Sequence, residues 1–121
     1  MAGVADHAVR EVIVVEVGPR DGLQNEAQPV PTDRKIAFIN ALSAAGLPLI
    51  EATSFVNPRA VPQMADASDV MQGITRYPGV RYPVLVPNER GLDRALDAGA
   101  EAIALFTAAT DAFAQANVGT T

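Results

Sequence analysis

The sequence predicts an α/β fold built from parallel βα units, and three observations predict it. Short apolar segments alternate with segments of helical periodicity four times along the 121 residues. Val12 to Val17 is β-branched at every position except Glu16, the pattern of a strand covered on both faces. A helix-to-strand junction also recurs. Ala45-Gly46-Leu47-Pro48-Leu49-Ile50 and Ala98-Gly99-Ala100-Glu101-Ala102-Ile103 share a helix end, a Gly, three residues and an apolar strand. Strand, helix and strand repeated in this way imply right-handed crossovers and a parallel sheet.

Taken in order, residues 1–10 read as a flexible tail and 11–121 as one domain. Val12–Val17 is the first strand, and Gly18-Pro19 breaks it. Thr32 can cap a helix whose apolar positions Ile36, Ile39 and Leu42 recur at helical spacing, closing at Gly46. Leu49-Ile50 begins the second strand, which delivers Glu51 near its end. Pro58 suits a helix start, and Pro62 interrupts that helix before a second piece from about Asp66 to Gln72, stopped by Gly73. Tyr82–Val86 is the third strand. Asn88 caps a helix running through Ala98, Gly99 ends it, and Ala102–Phe106 is the fourth strand. The Ala-rich stretch from Asp111 to Asn117 resembles the start of a further helix with nothing to pack on.

Composition narrows the function classes. Apolar residues make up 49%, yet no run approaches the roughly 18 uninterrupted apolar residues of a membrane helix. A net charge of −5, with no Lys/Arg cluster and no interleaved aromatic stripe, argues against a nucleic-acid partner. There is no cysteine, which excludes disulfides and thiolate metal sites within these residues. Met1 to Arg10 carries neither an apolar signal core nor the Arg-rich, acid-poor character of a transit peptide, so a cytoplasmic location is expected. No Gly-x-Gly-x-x-Gly follows the first strand, which removes the main support for dinucleotide binding.

The chemistry concentrates in Val15-Glu16-Val17-Gly18-Pro19-Arg20-Asp21-Gly22-Leu23-Gln24-Asn25-Glu26, where an apolar strand runs straight into a turn. In a parallel α/β sheet that is where functional groups sit. Asp21 is a hard oxygen donor of the kind Mg²⁺ or Mn²⁺ prefers. Arg20 offers a fixed, always charged fork for an oxyanion or an enolate. An arbitrary Arg-Asp pair usually does no more than pair on a loop; the surrounding motif changes that. Glu51, at the end of the second strand, would face the same rim, although from position alone a strand-end Glu is more often bonded to a neighbouring Arg or exposed. Gln24 is a substrate-pocket candidate balanced against local backbone bonding. Ser54 and Asn88 also fall at strand ends and are read as a loop hydroxyl and a helix cap. Glu16 reads as a carboxylate supporting the site or paired in the interior, and His7, the only histidine, as a bystander in the tail.

The signature closely resembles that of the 3-hydroxy-3-methylglutaryl-CoA (HMG-CoA) lyase family, in the metallolyase group of TIM barrels that also contains isopropylmalate and homocitrate synthases. Gly18 to Glu26 carries the fuller lyase form of the motif rather than the shorter Arg-Asp-Gly-x-Gln core of the synthases. Ile50-Glu51-Ala52-Thr53-Ser54-Phe55-Val56, Val61-Pro62-Gln63-Met64 and Tyr82-Pro83-Val84-Leu85-Val86-Pro87-Asn88 extend the match over nearly the whole chain. A (β/α)₈ barrel takes about 250 residues, so the resemblance implies about four βα units, the amino-terminal half of a TIM barrel. It implies cleavage of HMG-CoA to acetoacetate and acetyl-CoA, a step of leucine breakdown. It carries over Arg20 and Glu51 as catalytic residues, Arg20 and Gln24 as substrate-binding residues and Asp21 as a metal ligand. The family's metal site also takes a His-x-His pair and an Asn, and its catalysis takes a loop Cys. These 121 residues hold none of those later groups, which leaves an incomplete Mg²⁺ or Mn²⁺ site and a chain expected to be inactive alone. An acyl-CoA substrate, no nucleic acid, no membrane and, for the intact enzyme, a homodimer complete the expectation. Two alternatives stand beside it: a non-catalytic, self-associating half-barrel, and a related metal-dependent aldolase or acyl-CoA synthase.

Overall fold

The structure, a computed structural model, describes residues 10–118. The expected tail, apart from Arg10, and His7 within it lie outside the described residues. Among the described residues five short strands and four α-helices follow in the order β1 (Val15–Glu16), α1 (Thr32–Ala44), β2 (Leu49–Ile50), β3 (Thr53–Ser54), α2 (Ala67–Gly73), β4 (Val84–Leu85), α3 (Glu89–Asp97), β5 (Ile103–Ala104) and α4 (Asp111–Val118). Every pairing is parallel: β1 with β2, β3 with β4, and β4 with β5.

β2 and β3 are two parts of the single strand anticipated from Leu49 onward. Ile50 N donates to Arg81 O at 3.0 Å, Glu51 N to Glu16 O at 2.8 Å, Ala52 N to Pro83 O at 3.0 Å and Phe55 N to Leu85 O at 2.9 Å. The segment therefore bonds alternately to both neighbours. Pro48 and Pro83 have no N–H to return, which leaves gaps in the ladder. The parallel order is thus sequential, β1, β2/β3, β4, β5, as expected for successive right-handed βα crossovers.

The first strand differs from its expectation. Only Val15–Glu16 pairs, and Val12 and Ile13 are 79% and 67% exposed. β1 has a partner on one edge alone among the described residues, so apolar side chains suited to a doubly covered strand stand uncovered. Ile103, Leu105 and Phe106 at the opposite edge are exposed too.

α1 buries Lys35, Ile39 and Ser43, a four-residue spacing that lays one face on the core, with Ile36 and Leu42 packed at its margin. Thr32 does not cap this helix. Pro31 holds the cap position, and the Thr32 hydroxyl instead donates to Asp66 Oδ2 at 2.6 Å. No helix begins at Pro58; Asn57 to Val61 make one turn, and a 3₁₀ turn at Pro62–Met64 precedes α2. Asn88 does cap α3, its Oδ1 accepting from Gly91 N at 2.9 Å. Gly46 and Gly99 take φ values of +93° and +80°, the left-handed conformation that ends α1 and α3 and turns the chain into the next strand. Ile39, Ile50, Phe55, Val70, Met71 and Val84 are buried between the strands and helices α1 to α3.

Candidate functional site

The expected turn after β1 is a single turn of π-helix, Gly18–Gly22. The Val17 carbonyl accepts from Arg20 N at 3.1 Å, Asp21 N at 2.7 Å and Gly22 N at 3.3 Å. Pro19, with no N–H to satisfy, is buried inside it. A Cβ on Gly18 would lie 2.8 Å from Glu16 Oε1 and 3.1 Å from the Phe38 ring, so a larger residue would have to move those side-chain ends. Glu16, half-buried, uses that same oxygen to accept from Gly18 N at 3.0 Å, so it braces the turn through backbone rather than pairing with a cation. Irregular π turns of this kind concentrate at functional sites because they redirect side chains that a regular helix would stack.

The turn sends Arg20 and Asp21 to different environments. Arg20 Nε donates to Glu51 Oε1 at 2.6 Å, and the two side chains are only 20% and 10% exposed. Arg20 Nη1 is 3.4 Å from Asp21 Oδ1, and the Asp21 side chain is 56% exposed. Glu51 is fixed from its own strand, through its backbone bond to Glu16. Two distant segments thus meet in one charge-assisted contact, and a guanidinium's remaining donors stay available for a ligand.

Those donors border a cavity of about 570 Å³ at the carboxyl ends of the strands. Arg20, Gln24, Asn57, Leu85, Asn88 and Phe106 are among its lining residues. Asp21 and Glu51 do not line it; both connect to it through Arg20. Gln24 Oε1 is buried with no hydrogen-bond partner. An unsatisfied buried acceptor is uncommon, and at a cavity wall it fits a donor brought by a ligand. Asn88 has both a capping bond and a place on the wall, whereas Ser54 is fully buried with its Oγ 3.5 Å from Leu85 O. Sequence reasoning missed Asn57, Phe106 and Phe113 as lining residues. The position of Asn57 and Phe106 just past strand ends was the available signal.

Among the described residues no group of three or more His, Cys, Asp or Glu could hold a metal ion. Asp21 presents one exposed carboxylate, and Glu51 is already engaged by Arg20. The donor set fits one ligand of a divalent site and no more, since Mg²⁺ takes about six oxygens.

The HMGL-like family profile matches residues 11–121. The chain belongs to the HMGL-like family. Over 107 residues it is 64% identical to the rat protein named 3-hydroxy-3-methylglutaryl-CoA lyase, cytoplasmic, covering 88% of this chain and 31% of that one. Over 109 residues it is 58% identical to rat hydroxymethylglutaryl-CoA lyase, mitochondrial, covering 90% and 34%. The HMG-CoA lyase of Brucella melitensis superposes with a TM-score of 0.88 at 53% identity, covering 93% of this chain and 40% of that chain. An HMG-CoA lyase from A. baumannii, solved in complex with coenzyme A and 3-methylmalate, superposes with a TM-score of 0.87 at 46% identity, covering 90% and 36%. The chain spans about a third of the length of the curated relatives it matches. Its parallel strands and flanking helices form a partial TIM barrel, as the sequence predicts.

Proposed function

We propose that these residues form the amino-terminal part of an HMG-CoA lyase, a single partial-barrel domain over 11–121 that carries half of the active site. The observation that supports it is the Arg20–Glu51 pair at 2.6 Å beside the cavity, on a chain of this family. In the proposed reaction a proton leaves the tertiary hydroxyl of the substrate and the adjacent carbon–carbon bond breaks. Its electron pair passes to the enolate of acetyl-CoA, which is then protonated, and acetoacetate departs. Arg20 is the group we assign to the enolate oxygen, where a fixed cation favours the charge that develops on that oxygen in the transition state over the uncharged thioester carbonyl of the ground state. Glu51 holds the guanidinium in place and is assigned to steering the hydroxyl proton. Gln24 binds substrate through its unsatisfied Oε1. Asp21 would contribute one oxygen to a Mg²⁺ or Mn²⁺ ion, whose chemistry, when bound, is to polarise substrate oxygens.

Other parts of the reading follow from it: an acyl-CoA substrate, a homodimer for the whole enzyme and a cytoplasmic location. Relatives named cytoplasmic and mitochondrial both match, and among the described residues no helix is long and apolar enough to cross a membrane. Grafting residues 11–118 in place of the aligned segment of the Brucella melitensis enzyme tests the function. The graft, supplied with Mg²⁺ or Mn²⁺, is expected to release acetoacetate and acetyl-CoA from HMG-CoA. A folded graft that instead condenses acetyl-CoA with a keto acid would replace the lyase reading with that of a synthase.

A further inference from the structure

The loop that carries Gln24 is fastened from a distance. Asn25 to Pro29 are exposed, and the hydrogen bonds of Asn25 and Glu26 are mostly local: Asn25 N donates to Gly22 O at 3.3 Å, Glu26 N to Leu23 O at 3.2 Å and Asn25 Nδ2 to Asp21 O at 2.8 Å. One bond reaches further. Gln63 Nε2 donates to Glu26 O at 3.1 Å, across 37 positions, and among the described residues it alone ties residues 25–30 to a distant segment. Gln63 is a firm point from which to reach. Its own carbonyl accepts from Lys35 Nζ, which also donates to Asp66 Oδ1 at 2.7 Å, while Asp66 Oδ2 accepts from the Thr32 hydroxyl at 2.6 Å. Lys35 is only 4% exposed, and an ammonium withdrawn from water holds its acceptors tightly because releasing them would leave the charge unsatisfied. On the other side of Gln63 the Met64 side chain is buried, its Sδ 3.7 Å from Thr53 Oγ1. Met64 N in turn donates to Val61 O at 3.1 Å, and Ala60 N and Val61 N both donate to Asn57 O. The anchored segment therefore continues without a break into Asn57, Ala60 and Val61 on the wall of the first cavity.

We propose that Gln63 is a positioning residue: fixed through Lys35, it clasps Glu26 and so sets how closely the Gln24 loop stands to the Asn57–Val61 wall of the cavity; its part in turnover rests on the function proposed above. Gln63 does not line the cavity, so it acts through the loop it holds. The division of labour follows from the contacts. Arg20 takes its direction from Glu51 and the π turn, neither of which touches Gln63, whereas Gln24 stands two residues before the clasped carbonyl. Loosening the clasp therefore frees Gln24, with its unsatisfied buried Oε1, and leaves the Arg20–Glu51 pair in place. Such a change weakens substrate binding without removing the charge that acts in the transition state.

Gln63→Met tests the clasp, since it keeps the length of the side chain and removes its donor. In the 121-residue chain, digested with a glutamate-specific protease, it is expected to speed cleavage after Glu26 about fivefold, the loss of one hydrogen bond read as local opening. Cleavage after the exposed Glu101, which reports the protease, and after the buried Glu51, which reports unfolding of the whole chain, should keep its rate. An unchanged rate at Glu26, or an equal rise at Glu51, overturns the proposal. In the Brucella melitensis graft the same variant is expected to raise KM for HMG-CoA about fivefold with kcat within about twofold, and to add nothing to the KM of a Gln24→Leu graft. A merely structural role would add its full effect in the Gln24→Leu background, and that result, or a fall in kcat with KM unchanged, overturns the proposal as well. A graft that fails to cleave HMG-CoA removes the lyase reading, and the cleavage rate at Glu26 then decides the clasp by itself.

Discussion

Arg20 depends on Glu51 for its direction, and both side chains are largely withdrawn from water. Removing one member of such a pair strands the other, so Glu51→Ala should cost about 3 kcal/mol in chemical unfolding, well beyond a surface change. Asp21 is more than half exposed and, among the described residues, forms an ion pair with Arg20 alone, so Asp21→Ala should leave stability within about 0.5 kcal/mol. Gln24 gives the opposite signature. Its Oε1 is buried without a partner, so Gln24→Leu should leave stability level or slightly raised while weakening substrate binding in the graft. A loss of stability would show that the amide bonds its own protein. The residue types at this site were legible in the sequence because Arg20 and Asp21 follow a strand end and Glu51 sits on the next one. Their mutual arrangement was not. Of the alternatives for Glu51, the structure shows the arginine partner, and the arginine it bonds is the one bordering the cavity.

At the scale of elements, one helix cap and two helix ends follow from local signals, whereas the expected cap at Thr32 and helix start at Pro58 do not hold. Asn88 caps α3 with its own neighbour Gly91, and Gly46 and Gly99 end helices through their own φ angles, so each was legible from adjacent residues. Thr32 has its hydroxyl captured by Asp66, 34 positions away, which no local rule reveals. The same carboxylate accepts from Lys35 Nζ at 2.7 Å, and Lys35 Nζ also donates to Gln63 O, fastening α1 to the start of α2. Pro58 begins a turn rather than a helix because Asn57 O closes it within four residues. Gly91 shows a second kind of long-range constraint. A Cβ there would lie 2.6 Å from Phe55 O, a backbone atom with little room to move. Gly91→Ala should therefore destabilise the chain by about 1–3 kcal/mol, read as a lowered Tm, despite the higher helix propensity of Ala. An unchanged Tm would mean that α3 can lift off the second strand without cost.

For the whole molecule, the parallel order of four strand positions follows from the βα rhythm and from the family motif, both visible in the sequence. The half-barrel reading implies uncovered strand edges, although a β-branched run by itself looks the same whether or not a neighbour covers it. Val12, Ile13, Leu105 and Phe106 now mark two uncovered edges. The isolated chain should associate as its concentration rises in sedimentation, and Val12→Lys with Leu105→Lys should suppress that association; a monomer at every concentration would remove the half-barrel alternative. The central claim is that Arg20, held by Glu51, meets the charge that develops during carbon–carbon cleavage. It is tested most directly by steady-state kinetics of the Brucella melitensis graft with and without Arg20→Gln. The account predicts a kcat lower by about 10²–10³-fold with KM changed far less. Equal kcat in a folded Arg20→Gln graft would contradict it.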